Sequence, residues 1–276
     1  ELLDKPKSTV SDYLRKYVEF RSGVEITENE DGSTHLVIFD PQVAPGHPTD
    51  YLSWIGEYIV RKRPDVVICI GDFADMPSLS SYDKGKRSAE GKRVQEDIQS
   101  VVRGMEVLLK PLYDLQFEQA QIGAKLYIPR LVMTLGNHED RITRHVDANP
   151  ELHGFLSLDD LQYESFGWEV IPFLTPINID GVNYCHYFPN VMNGKPLGGT
   201  ALSMLKTLGE SFTMGHKQLL DVATRTLQIS GRKQWGVICG SSYVHDESYK
   251  GVQGNKHWRG IMVCHNVKQG DYDPLM

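Results

Sequence analysis

Three stretches of the chain repeat one pattern, a short unbroken apolar run that ends in a polar cluster: His35-Leu36-Val37-Ile38-Phe39-Asp40, Val66-Val67-Ile68-Cys69-Ile70-Gly71-Asp72 and Leu131-Val132-Met133-Thr134-Leu135-Gly136-Asn137. A strand with one wet face alternates polar and apolar residues, so continuous runs of this length predict strands buried on both faces. Between the first two, Tyr51, Leu52, Ile55, Ile59 and Val60 recur at helical spacing over 49–63, and Pro64 ends the helix. A long helical pattern over roughly 90–121 separates the second from the third. Strand–helix–strand alternation predicts parallel strands joined by right-handed crossovers.

The second half of the chain changes character. Segments 168–172, 182–188, 219–229, 235–239 and 260–267 read as strands with short connections, and predict a second, partly antiparallel sheet. Residues 1–34 are polar and mixed, with a short helix expected at 8–17 and a turn at 28–33, as a lead-in to one domain over 35–276. The fold class expected from the elements is α/β, two packed sheets flanked by helices.

Composition narrows the function classes only a little. No apolar run approaches the length that crosses a bilayer. Cys69, Cys185, Cys239 and Cys264 lack metal or redox spacing and sit in apolar, strand-like runs, as buried thiols of a reduced, cytoplasmic protein would. A formal charge of -7 counts against a module that coats nucleic acid. It does not count against a nuclease, because bound metal adds local positive charge.

The polar clusters carry the candidate chemistry. Asp40-Pro41-Gln42, Gly71-Asp72-Phe73-Ala74-Asp75 and Gly136-Asn137-His138-Glu139-Asp140-Arg141 follow the three parallel runs, whose C-termini converge on one crevice. Tyr184-Cys185-His186 and Met214-Gly215-His216-Lys217-Gln218 follow later runs. Asp, Asn and His suit a divalent ion, and glycine before Asp72, Asn137 and His216 lets the chain turn sharply. Each cluster alone has a plainer reading: a carboxylate capping a turn, or His186 as a satisfied core residue. Five in fixed order are hard to explain that way.

That order, with Gly-Asp-x-x-Asp and Gly-Asn-His-Glu as its specific parts, resembles the calcineurin-like metallophosphoesterase superfamily over roughly 36–218. The general character also resembles the members found in tailed phages. The resemblance implies an α/β/β/α sandwich of two facing mixed sheets flanked by helices, and hydrolysis of a phosphate ester by metal-activated water. It implies that Asp72 bridges two ions, that Asn137, His186 and His216 complete one site, and that Asp40 belongs to the other. It makes His138 the general acid or a transition-state cation, oriented by Asp75. Arg141 is a candidate phosphate clamp, or equally a solvated arginine on the following helix.

The chain departs from the family at positions 42 and 218, where histidine is usual and Gln42 and Gln218 stand. Both departures fall on the same ion. That site is expected to be weaker and harder in preference, so that manganese, ahead of magnesium, iron or zinc, is the expected cofactor, as one or two ions. His47 is an alternative ligand there. The run 251–260, with Lys256, His257, Trp258 and Arg259, reads as a substrate loop or a plain connection. The expected function is phosphodiester hydrolysis of nucleic acid or nucleotide, in the cytoplasm (the host's, for a phage protein) and without a membrane partner. A phosphomonoesterase or protein phosphatase, and a metal-binding module without turnover, stay open.

Overall fold

Along β1 (Ser33–Ile38), Leu36 and Ile38 face one apolar core, while Val37, with Phe39 just beyond the strand, faces another. β2 (Val66–Cys69) and β3 (Arg130–Thr134) divide the same way: Val67, Cys69, Leu131 and Met133 point to the first core, Val66, Ile68 and Val132 to the second. Two covered faces are why these runs show no polar alternation. The computed structural model describes residues 32–246 and 251–276; the helix expected at 8–17 and nearly all of the turn at 28–33 lie outside them.

Two helices cover one face of these strands. α1 (Asp50–Lys62) buries Tyr51, Leu52, Ile55 and Ile59, and stops at Arg63, which turns left-handed before Pro64. α2 (Val94–Gln121) buries Val101, Met105, Leu108 and Leu112 against the same core. α3 (Asp140–Ala148) follows the third polar cluster, then β4 (Glu169–Ile171). The rest of the chain gives β5 (Ile177–Ile179), β6 (Val182–Tyr184), α4 (Ala201–Leu208), β7 (Ser211–Met214), β8 (Asp221–Thr226), β9 (Lys233–Ile238), α5 (Gly251–Gly254), β10 (Ile261–Lys268) and β11 (Asp271–Leu275).

Among the described residues these strands make a six-stranded sheet, β11-β10-β1-β2-β3-β4, and a five-stranded sheet, β5-β6-β7-β9-β8. β1 to β4 are parallel, as are β6, β7 and β9, while β10, β11, β5 and β8 join antiparallel. The second core lies between the sheets, where Val37, Ile68 and Val132 meet Val182, Tyr184, Trp235 and Val237. A third core, Met204 and Leu205 of α4 on Phe212, Met214 and Ile238, covers the outer face of the second sheet. The molecule is the four-layered α/β/β/α sandwich expected from the sequence.

Two expected strands sit in the other sheet. Segments 168–172 and 260–267 were expected in the second sheet, but β4 extends the first beside β3, with Val132 opposite Glu169, and β10 closes its other side, with Leu36 opposite Val263. β11 carries Pro274, which an edge strand tolerates because no ladder N–H is needed on the open side.

Gly56 lies where α1 crosses α2, and a Cβ there would run into the Leu108 carbonyl. Gly56→Val is expected to cost roughly 1–3 kcal/mol by forcing the helices apart. Urea unfolding would show it as a lower midpoint with an unchanged slope.

Candidate metal centre

The loops leaving β1 and β2 are bonded to each other. Gln42 N–H donates to Asp72 O at 2.8 Å, Val43 N–H to Phe73 O at 2.7 Å and Asp75 N–H to Val43 O at 3.0 Å. The loops leaving β2 and β3 are joined by Glu139, whose fully buried carboxylate accepts from the N–H of Asp72, Ala74 and Gly136, each at 2.9 Å, and from the Tyr163 hydroxyl at 3.2 Å. Burial and the nearby Asp72 push this carboxyl above the usual range, while the N–H groups of Ala74 and Gly136 pull against them. His138 N–H then donates to Asp72 Oδ1 at 2.9 Å.

Strain marks the same loops. Asp40, Gln42, Asp72, His216 and Gln218 all have positive φ, at 34°, 47°, 47°, 69° and 53°. Non-glycine residues held there cost about 1–2 kcal/mol each, and persist where surrounding bonds impose them. Glycine was expected to provide the sharp turns, but only Gly71 of the three preceding glycines has positive φ, at 67°. Gly136 and Gly215 serve by lacking a side chain: a Cβ at either would strike the carboxylate of Asp72 or of Asp40 respectively.

Ligand atoms of Asp72, His186 and His216 lie within 4.8 Å of one another, a cluster that could hold a metal ion and the one such group of His, Cys, Asp or Glu among the described residues. Asn137 joins it: its Oδ1 is 2.9 Å from His186 Nε2 and 2.7 Å from His216 Nδ1. His186 Nδ1 lies 2.8 Å from the Ile70 carbonyl, which fixes the ring and aims Nε2 at the cluster, 3.3 Å from Asp72 Oδ2. One carboxylate, two imidazoles and an amide oxygen form a donor set that fits a divalent transition ion.

The cluster is electrostatically tense. Burial opposes a charge on His186, but Asp72 and Asp40 outweigh it and push the ring up to about 10. Burial and the charged His186 push His216 down to about 4. Burial would raise Asp72, yet His138 and His186 hold it well below the usual carboxylate range.

Asp40, Gln42 and Gln218, the residues expected at a second ion, are engaged differently. Both Asp40 oxygens accept from His216 N–H, at 3.0 and 3.3 Å, and Oδ1 lies 3.9 Å from His186 Nδ1, on the side of the ring away from the cluster. Burial pushes Asp40 up to about 8. Gln42 is buried, and Gln218 Oε1 accepts from the Tyr243 hydroxyl at 3.0 Å. Tyr243 stacks on His245 with centroids 4.5 Å apart, and His245 on His47 at 4.0 Å, so a column of rings links His47 to Gln218. Asp40 and Gln218 thus each have a hydrogen-bond partner within the protein.

Beside the cluster, His138 Nδ1 is 2.7 Å from Asp75 Oδ1, and its Nε2 is 3.7 Å from Asp72 Oδ2. Burial disfavours the imidazolium, but Asp72 and Asp75 prevail and raise His138. Arg141 is not a solvated arginine: Nη1 donates to the carbonyls of Asp75 at 2.7 Å and Met76 at 3.2 Å, and Nη2 sits 3.1 Å from His138 Nε2. In the run 251–260, Arg259 donates to Asp246 at 2.7 Å and to two carbonyls, and the Trp258 ring packs on Phe39 at 6.1 Å. Glu139 and Tyr243 had no role assigned from sequence. The buried-acid position inside Gly-Asn-His-Glu was the available signal for Glu139; nothing local marked Tyr243.

No protein-family model matches this chain. The Gene 54 protein of Mycobacterium phage L5 is 24% identical over 213 residues, covering 75% of this chain and 78% of that protein. The Gene 54 protein of Mycobacterium phage D29 is 22% identical over 213 residues, with the same shares.

Metal-stripped protein is expected to take up one manganese ion per chain, and His216→Ala to weaken uptake about tenfold or more. Calorimetry at pH 8 in buffers of different ionisation enthalpy is expected to show proton release, because His186, held near 10, must lose its proton to ligate. Two ions of equal affinity would show that Asp40 and Gln218 serve as ligands as well.

Proposed function

We propose that this chain is a metal-dependent phosphoesterase that hydrolyses phosphodiester bonds of nucleic acid or nucleotides. One observation carries the reading: His138, paired with Asp75 at 2.7 Å, lies 3.7 Å from the carboxylate of the metal-type cluster. A phosphate placed there meets a proton donor and an ion at once. Asp72, Asn137, His186 and His216 would hold the ion; the set suits a divalent transition ion, with manganese the first to test. When bound, the ion supplies positive charge that polarises the phosphoryl group and makes water acidic enough to attack.

The protein's own groups do the rest. Asp75 accepts from Nδ1 and keeps His138 charged, with Nε2–H presented to the leaving oxygen as general acid. Arg141 Nη2 lies 3.1 Å from His138 Nε2, and a phosphoryl oxygen entering beside them would accept from both once Nε2 carries its proton. Glu139 fixes Asp72 and His138 on their two loops, so the donor and the metal site keep one geometry through the reaction. The phage relatives support a host-cell cytoplasm as the place of action. Among the described residues no helix is long and apolar enough to cross a membrane.

Stripped protein given manganese is expected to hydrolyse bis-p-nitrophenyl phosphate faster than p-nitrophenyl phosphate. His138→Ala should lower kcat by roughly 10²–10⁴-fold while the ion stays bound. Preference for the monoester would move the reading to a phosphomonoesterase or protein phosphatase, and no turnover with any metal to a binding module.

A pH profile tests Asp75 separately. His138 is raised above its ordinary value, so the active, protonated form is lost as pH rises through that raised value. Asp75→Asn removes a charge that holds the proton, and the alkaline limb of kcat/KM is expected to move to lower pH.

A further inference from the structure

Between Met76, whose carbonyl Arg141 binds, and the start of α2 at Val94 runs a segment that the chemistry above does not use. It carries Lys84, Lys86, Arg87, Lys92 and Arg93 against Asp83 and Glu90, in a chain whose formal net charge is -7. Lys92 pairs with Asp83 at 3.4 Å, while Lys84, Lys86, Arg87 and Arg93 are exposed. Tyr82 stands beside them with 81% of its surface in solvent.

The segment is a built surface. Ser78 N–H donates to Asp97 Oδ2 at 2.9 Å, and single 3-10 turns at Pro77–Leu79 and Arg87–Ala89 shape it. Lys86 N–H closes a turn on Asp83 O at 2.9 Å, and Glu90 N–H on Arg87 O at 3.1 Å. Tyr82 is six residues from Met76, so even a fully extended chain keeps its backbone within roughly 20 Å of Met76, whose carbonyl Arg141 holds.

We propose that this segment docks single-stranded nucleic acid and delivers a backbone phosphate to His138; the inference rests on the phosphodiesterase reading and names its substrate class. A lone phosphate needs one or two of these cations. Four spaced over ten residues, from 84 to 93, match a repeating anion, and neutralising its phosphates releases counterions. Tyr82 offers an unpaired base a ring to stack on, which a duplex does not need.

The test is fluorescence anisotropy with a labelled single-stranded oligonucleotide, on the full metal-loaded chain carrying His138→Ala to stop turnover. Adding Lys84→Ala, Lys86→Ala and Arg87→Ala together is expected to weaken binding tenfold or more. It should also flatten the slope of log affinity against log salt by about 2, at roughly 0.7 per phosphate contact. Tyr82→Ala should weaken binding by about tenfold with the slope unchanged. In the His138 background restored to wild type, both sets should leave manganese-dependent hydrolysis of bis-p-nitrophenyl phosphate intact. Oligonucleotide binding that is absent, or equal in the triple variant, overturns the proposal, as does a duplex bound as well as a single strand. Loop-dependent binding without small-ester turnover would sink the hydrolase reading and leave the docking surface standing.

Discussion

The candidate site depends on one buried carboxylate. Glu139 gathers three backbone N–H groups from two loops, at Asp72, Ala74 and Gly136, and the Tyr163 hydroxyl closes its shell. Without it, three donors in a dry interior would lack partners, a penalty of about 1–3 kcal/mol each. Its grip is also what lets Asp72 remain in a left-handed conformation, which places that carboxylate both under the His138 N–H and beside His186. A residue outside the metal-type cluster thereby sets the geometry of those that form it.

Much of the fold was legible because burial leaves a period in the sequence. β1, β2 and β3 appear as unbroken apolar runs since a different core lies on each face, and α1 and α2 as helical stripes. Period says which faces are covered and is silent on which strand lies next door, so β4 and β10 were assigned to the wrong sheet. β5 is three residues long and β11 contains Pro274; both are held by a neighbour's ladder rather than by any pattern of their own. In the site, Asp72, His186 and His216 meet although 144 positions separate first from last, and Asn137 meets them too. Glu139 and Tyr243 stayed hidden because their partners are backbone groups and a glutamine brought close only by the fold.

Gln42 and Gln218 sit on strained loops that the fold holds in place. Both keep left-handed backbone, a conformation glutamine has no intrinsic reason to adopt. The bond from Gln42 N–H to Asp72 O holds one, and the Tyr243 hydroxyl holds the side chain of the other. Amide side chains at these two positions offer oxygen donors where imidazole would offer nitrogen. Asp40 is held in a similar way, with both oxygens near the His216 N–H.

The cluster also spans the seam of the sandwich. Asp72 and Asn137 hang from the six-stranded sheet, His186 and His216 from the five-stranded one. An ion seated there is a rivet between two plates that a few hydrogen bonds, such as that between the His186 ring and the Ile70 carbonyl, already pin at that end. Sliding one plate along the other by a single residue would tear the ligands apart, so a seated ion resists shear as well as unfolding. Because it binds only the aligned plates, its free concentration acts as a clamp pressure, and the toughness of the molecule becomes a property of the solution it sits in.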